Sequence, residues 1–241
     1  IQAGMADVIL AGGVEHMSGV PYAVPNARWG CRLQDGVFVD PMIHALHCGS
    51  HIIPFSEDAP VDTSQAPASL FLGKPYIMGH TAEFIAQRLG ISREEMDEVA
   101  LRSHNNAERA TREGAFREEI VPVSVPQRKK DPLIFDKDEH FRPGITLEQL
   151  RKLSPAFVPK TGKVNEAFAA QYLGCERELG LNREITNVNG SGIGLGHPIG
   201  STGSRIMVTL LHAMKKSGKS LGLATLCGGG GVSMACALEM I

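Results

Sequence analysis

One stretch of the chain, between positions 187 and 231, constrains the fold more than any other. It opens with a glycine-rich turn that carries a histidine, NVNGSGIGLGHPIGSTG, and closes with Cys227 and the four glycines that follow it. Between the two turns lie an apolar helix pattern from Ser204 to Lys216 and an apolar strand pattern from Leu221 to Leu226. Because loops on a rigid scaffold commonly present reactive groups, the stretch predicts a site built from a histidine and a cysteine.

At the histidine end, Pro198 follows His197 and suits the first turn of a helix, where no backbone N–H is needed. We therefore expect His197 at the entrance of that helix. The positive end of the helix dipole would disfavour imidazolium, so the ring would be a neutral base or a hydrogen-bond donor. A histidine packed for structural reasons is the alternative, and residue type alone does not separate the two.

At the cysteine end, a strand predicted to be buried ends at Cys227, and residues 232–240 alternate like a returning strand. A thiol beside glycine N–H groups, such as that of Gly229, is placed for acid–base or nucleophilic work, with those groups as an oxyanion hole. A free cysteine taken alone is more often a small buried hydrophobe. Taken together with His197, the cysteine favours the reactive interpretation.

Composition excludes several classes of protein. The 241 residues are 43% hydrophobic and 21% charged, as in ordinary globular proteins. A net charge of −2 argues against nucleic acid as a partner, and no apolar run is long enough to span a membrane. Five irregularly spaced cysteines indicate reduced thiols and a cytoplasmic location. An organellar matrix stays open, because a chain that starts at Ile1 is uninformative about targeting segments.

Several motifs, taken together, resemble one family, the thiolases, which transfer acyl groups between coenzyme A thioesters. NVNGSGIGLGHPIGSTGSRI, GLATLCGGGG and VNEAFAAQ (Val164 to Gln171) resemble the C-terminal half of a thiolase. ADVILAGGVEHMS (Ala6 to Ser18) and YIMGHTAE (Tyr76 to Glu83) resemble its N-terminal half and its coenzyme A-binding loop domain. The resemblance covers most of the chain, in order.

The resemblance implies an α/β fold with layered α-β-α-β-α architecture, mixed five-stranded sheets and an inserted coenzyme A-binding loop domain. Residues 1–44 would be the remainder of the N-terminal half. Residues 45–164 would form an insertion and the loop domain. Residues 165–241 would be the C-terminal half, which carries His197 and Cys227.

The activity it implies is reversible Claisen condensation and thiolysis of a 3-ketoacyl-CoA, most simply acetoacetyl-CoA. Cys227 would be the base in synthesis and the acid in cleavage. His197 would activate the acyl-accepting cysteine and donate to the enolate oxygen. Asn165 would hold a water that completes this oxyanion hole, and the N–H of Gly229 would stabilise the tetrahedral oxyanion.

The resemblance places the acyl-accepting cysteine ahead of Ile1, so the 241 residues lack it. A catalytically inactive acyl-CoA-binding or lipid-binding homologue is therefore an alternative, as is a thiolase for longer 3-ketoacyl chains. A ketoacyl synthase acting on carrier-protein thioesters is less favoured, because the second half of such enzymes typically offers two histidines.

The resemblance also implies the residues that bind substrate. Met78 would lie near the thioester end of the pantetheine tunnel, and Arg128 belongs to a charged loop that would meet the coenzyme A phosphates and adenine. Ala167 and Phe168 complete the predicted set. The substrates and products would be acetyl-CoA, a 3-ketoacyl-CoA and free coenzyme A, with no cofactor. We expect a homo-oligomer, a dimer or tetramer, without nucleic acid or membrane partners.

Two other sequence patterns support no functional prediction. His44, His47, Cys48 and His51 are spaced to share one helical face, but nearby glycine and prolines favour a polar loop, so no metal site is predicted. The glycines match neither a dinucleotide fingerprint nor a complete phosphate loop.

Helix signals are clear elsewhere. Ser92 and Glu95 form a capping box for a helix that should run to about Glu113, with Gly114 as its stop. The other predicted elements are a helix tail at 1–4, strands at 7–11 and 120–125, and a helix at 81–89. Thr146 to Gln149 caps one more short helix that ends near Leu153, and a last helix covers 166–179, with Asn165 as N-cap and Gly180 as its stop.

The resemblance predicts an irregularity at Val164 and Asn165, where thiolases have several further strands and helices. Either the chain is shorter here, or the two residues are not joined by a peptide bond. We expect the second, because a deletion would strip the core from Val188 and Leu223.

Overall fold

The computed structural model describes residues 2–33, 35–42, 78–158, 162–165, 168–228 and 233–241. Its helices and strands, in chain order, are α1 (Met78–Arg88), α2 (Arg93–Arg112), β1 (Val123–Gln127), β2 (Lys130–Phe135), α3 (Leu147–Arg151), α4 (Ala169–Leu179), α5 (Gly192–Leu195), α6 (Thr202–Ser217), β3 (Leu221–Cys227) and β4 (Ser233–Glu239). Two single turns of 3₁₀-helix, Met17–Gly19 and Ala27–Trp29, precede them. Among these residues, no helix combines the length and apolar character needed to cross a membrane.

Helix α2 is the longest element and forms as the sequence predicts. Its capping box is complete, because the Ser92 hydroxyl accepts from the N–H of Glu95 and the Glu95 carboxylate accepts from the N–H of Ser92. The helix stops before Gly114, whose φ of +71° continues no right-handed helix. One face, including Met96, Ala100 and Ala107, is fully buried.

The core lies where α3 and α4 pack on α2 and where α1 packs on α4. Its buried members are mostly alanine, valine, leucine and isoleucine: Ala82, Ala86, Ile91, Met96, Val99, Ala100, Leu150, Val164, Ala169, Ala170, Leu173 and Ile193. Small side chains let the helices approach closely. The capping box of α3, between Thr146 and Gln149, was predicted and is confirmed.

Two antiparallel hairpins complete the described structure. β1 pairs with β2, and β3 pairs with β4 over the full length from Leu221↔Glu239 to Cys227↔Ser233. Each sheet in the described residues therefore has two strands, not the five that the resemblance implies. Helix α6 packs on β3, and a Cβ added at Gly222 would lie 2.3 Å from the Met214 sulfur.

Two strand predictions differ from the structure for the same physical reason. Residues 7–11 form no strand, and the side chains of Val8 and Leu10 are 86% and 98% exposed. β3 forms but is not buried, since Leu221 and Leu223 are 70% and 63% exposed. A strand needs neighbours for its backbone groups and a covering layer for its side chains. The described residues give 7–11 no partner strand, and they cover β3 only on the face that packs against α6.

The boundaries of three further elements differ from the predicted ones. α4 begins at Ala169 with Phe168 as its N-cap, so the prediction that Asn165 caps this helix is wrong. α6 begins at Thr202 with Ser201 as its N-cap, so Pro198 lies outside the first turn. β1 lies at 123–127 where 120–125 was predicted, and β2 and α5 were not predicted.

The exposure of Leu223 bears on the junction at Val164 and Asn165. A shortened chain predicts lost cover over this residue, and 63% exposure is what the structure has. Val188 is half-buried. Residues left out of the sequence would expose Leu223 in the same way, so the expectation that Val164 and Asn165 are not joined stays a prediction.

Helix α3 is attached to α2 by Arg93, which also forms an ion pair within α2. Arg93 Nε lies 2.8 Å from Asp97 Oδ1, and the Arg93 guanidinium also donates to the carbonyls of Leu150 and Leu153. Asp97 is fully buried. We predict that Arg93→Ala lowers the free energy of unfolding by about 3 kcal/mol, because it leaves a buried carboxylate without a counter-charge.

Urea unfolding followed by circular dichroism measures this loss. Lys152→Ala is the matched control, since it removes an exposed i,i+4 pair with Glu148 and should cost no more than about 0.5 kcal/mol. Equal losses in the two variants would contradict the prediction.

Candidate active site

The loop that carries His197 is held by the side of helix α2. The Ser103 hydroxyl accepts from the N–H groups of Ser191 and Gly194, at 3.0 and 2.9 Å, and lies 2.8 Å from the Ser191 hydroxyl. The approach is so close that a Cβ added at Gly194 would lie 2.7 Å from the Ser103 carbonyl oxygen. Glycine at this position therefore allows the loop to lie against the helix.

A second clamp comes from the charged segment after β2. The His140 Nε2–H donates to the carbonyl of Ile193 at 3.2 Å, and a Cβ added at Gly196 would lie 3.2 Å from its Nδ1. The neighbouring Arg142 N–H donates to Nδ1 of His104, at 3.3 Å. Burial, followed by the charges of His140 and Arg142, lowers the pKa of His104.

The tautomer of His197 follows from its hydrogen bonds. Its Nδ1 lies 2.8 Å from the Thr202 hydroxyl, which itself lies 2.9 Å from the carbonyl of Pro198. The carbonyl can only accept, so the single hydroxyl proton goes to Pro198 and the Thr202 oxygen accepts from His197. The proton of a neutral imidazole is then on Nδ1, and Nε2 carries the free lone pair.

Electrostatics favour this neutral form. Burial is the main cause that lowers the pKa of His197, and the charge of Arg205 lowers it further. Burial also lowers the pKa of Arg205, while Glu119 and Asp138 oppose that shift. The sequence predicts a neutral ring from the helix dipole, whereas here the pKa of His197 is lowered by burial and Arg205, because α6 begins only five residues after His197.

Cys227 lies at the end of β3, where it is half-buried. Its thiol donates to the side-chain oxygen of Gln171 at 3.3 Å. Gln171 is in the first turn of α4, which directly follows the segment of Asn165 and Phe168. The structure therefore brings Cys227 to the segment that carries Asn165.

Chain geometry brings His197 and Cys227 to the same end of the α6–β3 unit. α6 has 16 residues and β3 has seven, so their lengths are about 24 Å and about 23 Å. Only residues 218–220 connect them, and the start of β3 packs beside Met214 near the end of α6. The end of β3 thus returns to the level of Thr202, to which His197 is hydrogen-bonded. That the two side chains share one pocket stays a prediction.

Asn165 has an unusual environment for an amide side chain. Both its Oδ1 and Nδ2 atoms are buried, and neither has a hydrogen-bond partner among the described residues. A buried amide left unpaired costs free energy unless a bound molecule satisfies it. The side chain is therefore suited to hold a water or a ligand atom.

The predicted substrate-binding residues have different positions. Met78 is the first residue of α1 and is half-buried. Phe168 packs against Phe157, with ring centroids 6.0 Å apart. Arg128 is exposed in the turn between β1 and β2. Gly229, Ala167 and the group His44, His47, Cys48 and His51 lie outside the described residues.

Several residues of the site were not singled out from sequence. Ser103 and His140 act through contacts that join distant segments, whereas Thr202 and Arg205 follow His197 by five and eight residues. No local pattern marks any of the four. Gln171 was quoted within the VNEAFAAQ motif but given no role. In the described part of the chain no group of three or more metal-ligating side chains converges.

The arrangement is suited to proton transfer. It combines a neutral imidazole whose Nε2 can take a proton, a half-buried thiol, and an amide with unused hydrogen-bonding capacity. These three groups could move a proton and stabilise an oxyanion at one substrate carbonyl.

Comparison with known proteins identifies related sequences along the entire chain. Residues 1–56 and 62–172 match a family model described as "Thiolase, N-terminal domain", and residues 160–240 match one described as "Thiolase, C-terminal domain". The acetyl-CoA acetyltransferase of Chromobacterium violaceum is 36% identical over 312 aligned positions, which cover 99% of this chain and 74% of that protein. The acetyl-CoA acetyltransferase of Escherichia coli K12 is 36% identical over 316 positions, which cover 100% of this chain and 74% of that protein.

Solved structures give the same result for the fold. The acetyl-CoA acetyltransferase of Bacillus anthracis matches with a TM-score of 0.82 at 36% identity, covering 99% of this chain and 73% of that one. The human mitochondrial 3-ketoacyl-CoA thiolase matches with a TM-score of 0.75 at 30% identity, and the match covers 96% of this chain and 71% of that one. The α/β fold implied by the sequence motifs is thus confirmed. Since 312 aligned positions exceed the 241 residues of this chain, the Chromobacterium relative has internal residues without a counterpart here.

The hydrogen bond between His197 and Thr202 gives a prediction for the imidazole tautomer. Nitrogen-15 NMR of histidine-labelled protein at pH 7.5 should show a protonated Nδ1 and a free Nε2 for His197, assigned through His197→Gln. Thr202→Val removes the acceptor and should shift the ring towards the Nε2–H tautomer. Thr202→Ser keeps the hydroxyl and should retain the wild-type pattern. An Nε2–H tautomer in the unsubstituted protein would contradict the assignment.

Arg205 gives a prediction for pH dependence. Burial and the guanidinium both hold the pKa of His197 below its usual value of about 6.5. As pH falls below about 6.5, the imidazole of residue 197 binds a proton in the unfolded chain before it does so in the folded chain. The free energy of unfolding therefore decreases progressively as the pH is lowered. Arg205→Met should raise the pKa of His197 in an NMR titration, whereas Arg205→Lys keeps the charge and should leave it closer to that of the unsubstituted protein. A lower pKa in Arg205→Met would be the opposite of the expected sign.

Proposed function

This chain belongs to the thiolase family, and on that premise we propose that it is an acyl-CoA:acetyl-CoA C-acyltransferase. The reaction is reversible Claisen condensation and thiolysis of a 3-ketoacyl-CoA, with acetoacetyl-CoA as the first candidate substrate. The observation that carries the proposal is the similarity to proteins named acetyl-CoA acetyltransferase along 99% of the chain. Acetyl-CoA and free coenzyme A are then its other substrates and products, and no cofactor is needed.

The site geometry supports a specific order of proton transfers. In the tautomer set by Thr202, Nε2 of His197 can take the proton of an acyl-accepting thiol. The imidazolium that results can donate from Nε2 to the oxygen of an enolate. Asn165 would hold a water beside it, which agrees with the two unpaired atoms of its buried amide.

Cys227 would act at the carbon that forms the new bond. When the acyl group moves from coenzyme A to the accepting cysteine, the C–S bond to coenzyme A breaks, and the Cys227 thiol donates its proton to the leaving sulfur. The resulting Cys227 thiolate takes a proton from the methyl group of acetyl-CoA, and the enolate carbon then attacks the acyl group carried on the accepting cysteine. A C–C bond forms, and the C–S bond to that cysteine breaks. In thiolysis, Cys227 returns the proton to the departing enolate. The acyl-accepting cysteine of the resemblance lies outside the 241 residues.

The alternative is a thiolase homologue that binds acyl-CoA without turnover. An assay on the full-length protein that follows loss of acetoacetyl-CoA on addition of free coenzyme A separates the two functions, when combined with calorimetric titration of coenzyme A. Turnover establishes the enzyme. Binding without turnover supports the homologue, and neither binding nor turnover would refute both.

The acyl chain length of the substrate is also part of the proposal. The printed name of one relative, "Probable acetyl-CoA acyltransferase" of Staphylococcus aureus, and the human 3-ketoacyl-CoA thiolase structure keep a longer-chain substrate open. Comparing kcat/KM for acetoacetyl-CoA and 3-ketohexanoyl-CoA decides between them. We further propose a cytoplasmic homo-oligomer, a dimer or tetramer, that acts in fatty acid metabolism.

The role of Cys227 gives a prediction on activity. Cys227→Ala should lower kcat by about a hundredfold or more, since it removes the acid–base group, while coenzyme A binding persists. Cys236→Ala is the matched control, because Cys236 is an exposed cysteine of the same hairpin. Comparable losses in both variants would show that damage to the hairpin, not loss of the base, explains the result.

A further inference from the structure

We infer that Glu83 is a positioning residue for this site, because its carboxylate fixes the backbone that leads into Asn165. Glu83 lies in α1, five residues after Met78, and is 9% exposed. Glu83 is the last residue of the YIMGHTAE motif, and the resemblance assigns it no role. The inference rests on the proposed function in one respect, the action of Asn165 in catalysis.

The contacts of Glu83 are with backbone rather than with a charged side chain. Its Oε1 accepts from the N–H groups of Lys163 and Val164, at 2.9 and 2.8 Å, and its Oε2 also accepts from Lys163, at 2.8 Å. A Cβ added at Gly162 would lie 2.4 Å from Oε1. The backbone of 162–164 therefore wraps closely around one ionisable group.

Val164 is held on three sides as a result. Its N–H donates to Glu83, and its carbonyl accepts from the N–H of Ala156 at 2.9 Å. Its side chain has no exposed surface and belongs to the main core. Since the peptide group between Val164 and Asn165 is planar, fixing the Val164 carbonyl fixes the direction in which the chain enters Asn165.

This matters because nothing else described holds the Asn165 amide. Its Oδ1 and Nδ2 are buried without partners among the described residues, so no side-chain hydrogen bond sets where they point. Their position depends on the backbone that Glu83 anchors. An oxyanion-stabilising group displaced by as little as 1 Å can cost about a hundredfold in rate, so Glu83 acts on the reaction through Asn165.

Glu83→Gln is the informative substitution. It keeps the size of the side chain, but an amide nitrogen then replaces one of two accepting oxygens that face backbone N–H groups. We expect kcat for acetoacetyl-CoA thiolysis to fall by about tenfold or more, with KM changed by less than about twofold. Glu94→Gln, which removes an exposed carboxylate from the first turn of α2, should leave both constants unchanged.

A double-mutant cycle distinguishes positioning from general damage to the fold. If Glu83 acts through Asn165, Glu83→Gln should change kcat by less than about twofold in an Asn165→Ala background. The same tenfold loss in both backgrounds would overturn the inference. Unfolding midpoints of all four proteins show whether stability explains the change in rate.

A second measurement needs no activity, and so separates this inference from the proposed function. NMR signals of the Asn165 side-chain amide, assigned through Asn165→Asp, should shift and broaden in Glu83→Gln and stay unchanged in Glu94→Gln. An inactive but folded protein would refute the proposed function and leave this test in place. Unchanged Asn165 signals in Glu83→Gln would overturn the positioning role.

Discussion

The site depends on the hydrogen bonds that helix α2 makes to the backbone of the loop ahead of His197. A loop that lies against a core must satisfy its own N–H and C=O groups, and here α2 supplies the partners. Ser103 accepts from two loop amides, while three other side chains of α2 donate to loop carbonyls: Arg102 to Arg183, Asn106 to Asn187 and Arg109 to Val188. The helix is regular because of its own sequence, so it can act as a template for a loop that has no regular structure.

Elements with local signals were predicted well from sequence, and elements defined by distant neighbours were not. The capping boxes at Ser92 and Thr146 satisfy helix N–H groups within four residues, so their prediction needs no knowledge of the fold. The strand expected at 7–11 requires a partner strand, and no local pattern reports whether one is present. His197 and Cys227 were found through the motifs around them, whereas Ser103 and Thr202 became evident only from the loop they hold.

Two apolar residues that were predicted to lie in strands are largely exposed. Leu223, on β3, has 63% of its surface exposed, and Leu10 has 98%. Apolar strands in folds of this class are normally covered on both faces. The Chromobacterium relative aligns over 312 positions against 241 residues here, so it has internal residues without a counterpart in this chain. The helical core around α2 keeps its packing because its contacts are made within the segments that remain.

The three candidate catalytic groups are supported separately, and each support fixes a different property. Thr202 fixes which nitrogen of His197 is protonated. The short connection between α6 and β3 fixes the position of Cys227 at the end of β3. Glu83 fixes the direction in which the backbone enters Asn165. Reaction at one carbonyl requires all three to be correct together. Helix α2 is what relates them, because it packs against α4, next to Asn165 and Gln171, and holds the loop of His197 through Ser103. A substitution on α2 that leaves each local support intact can therefore still misalign the site, and such an effect would change the rate of the chemical step more than the affinity for substrate.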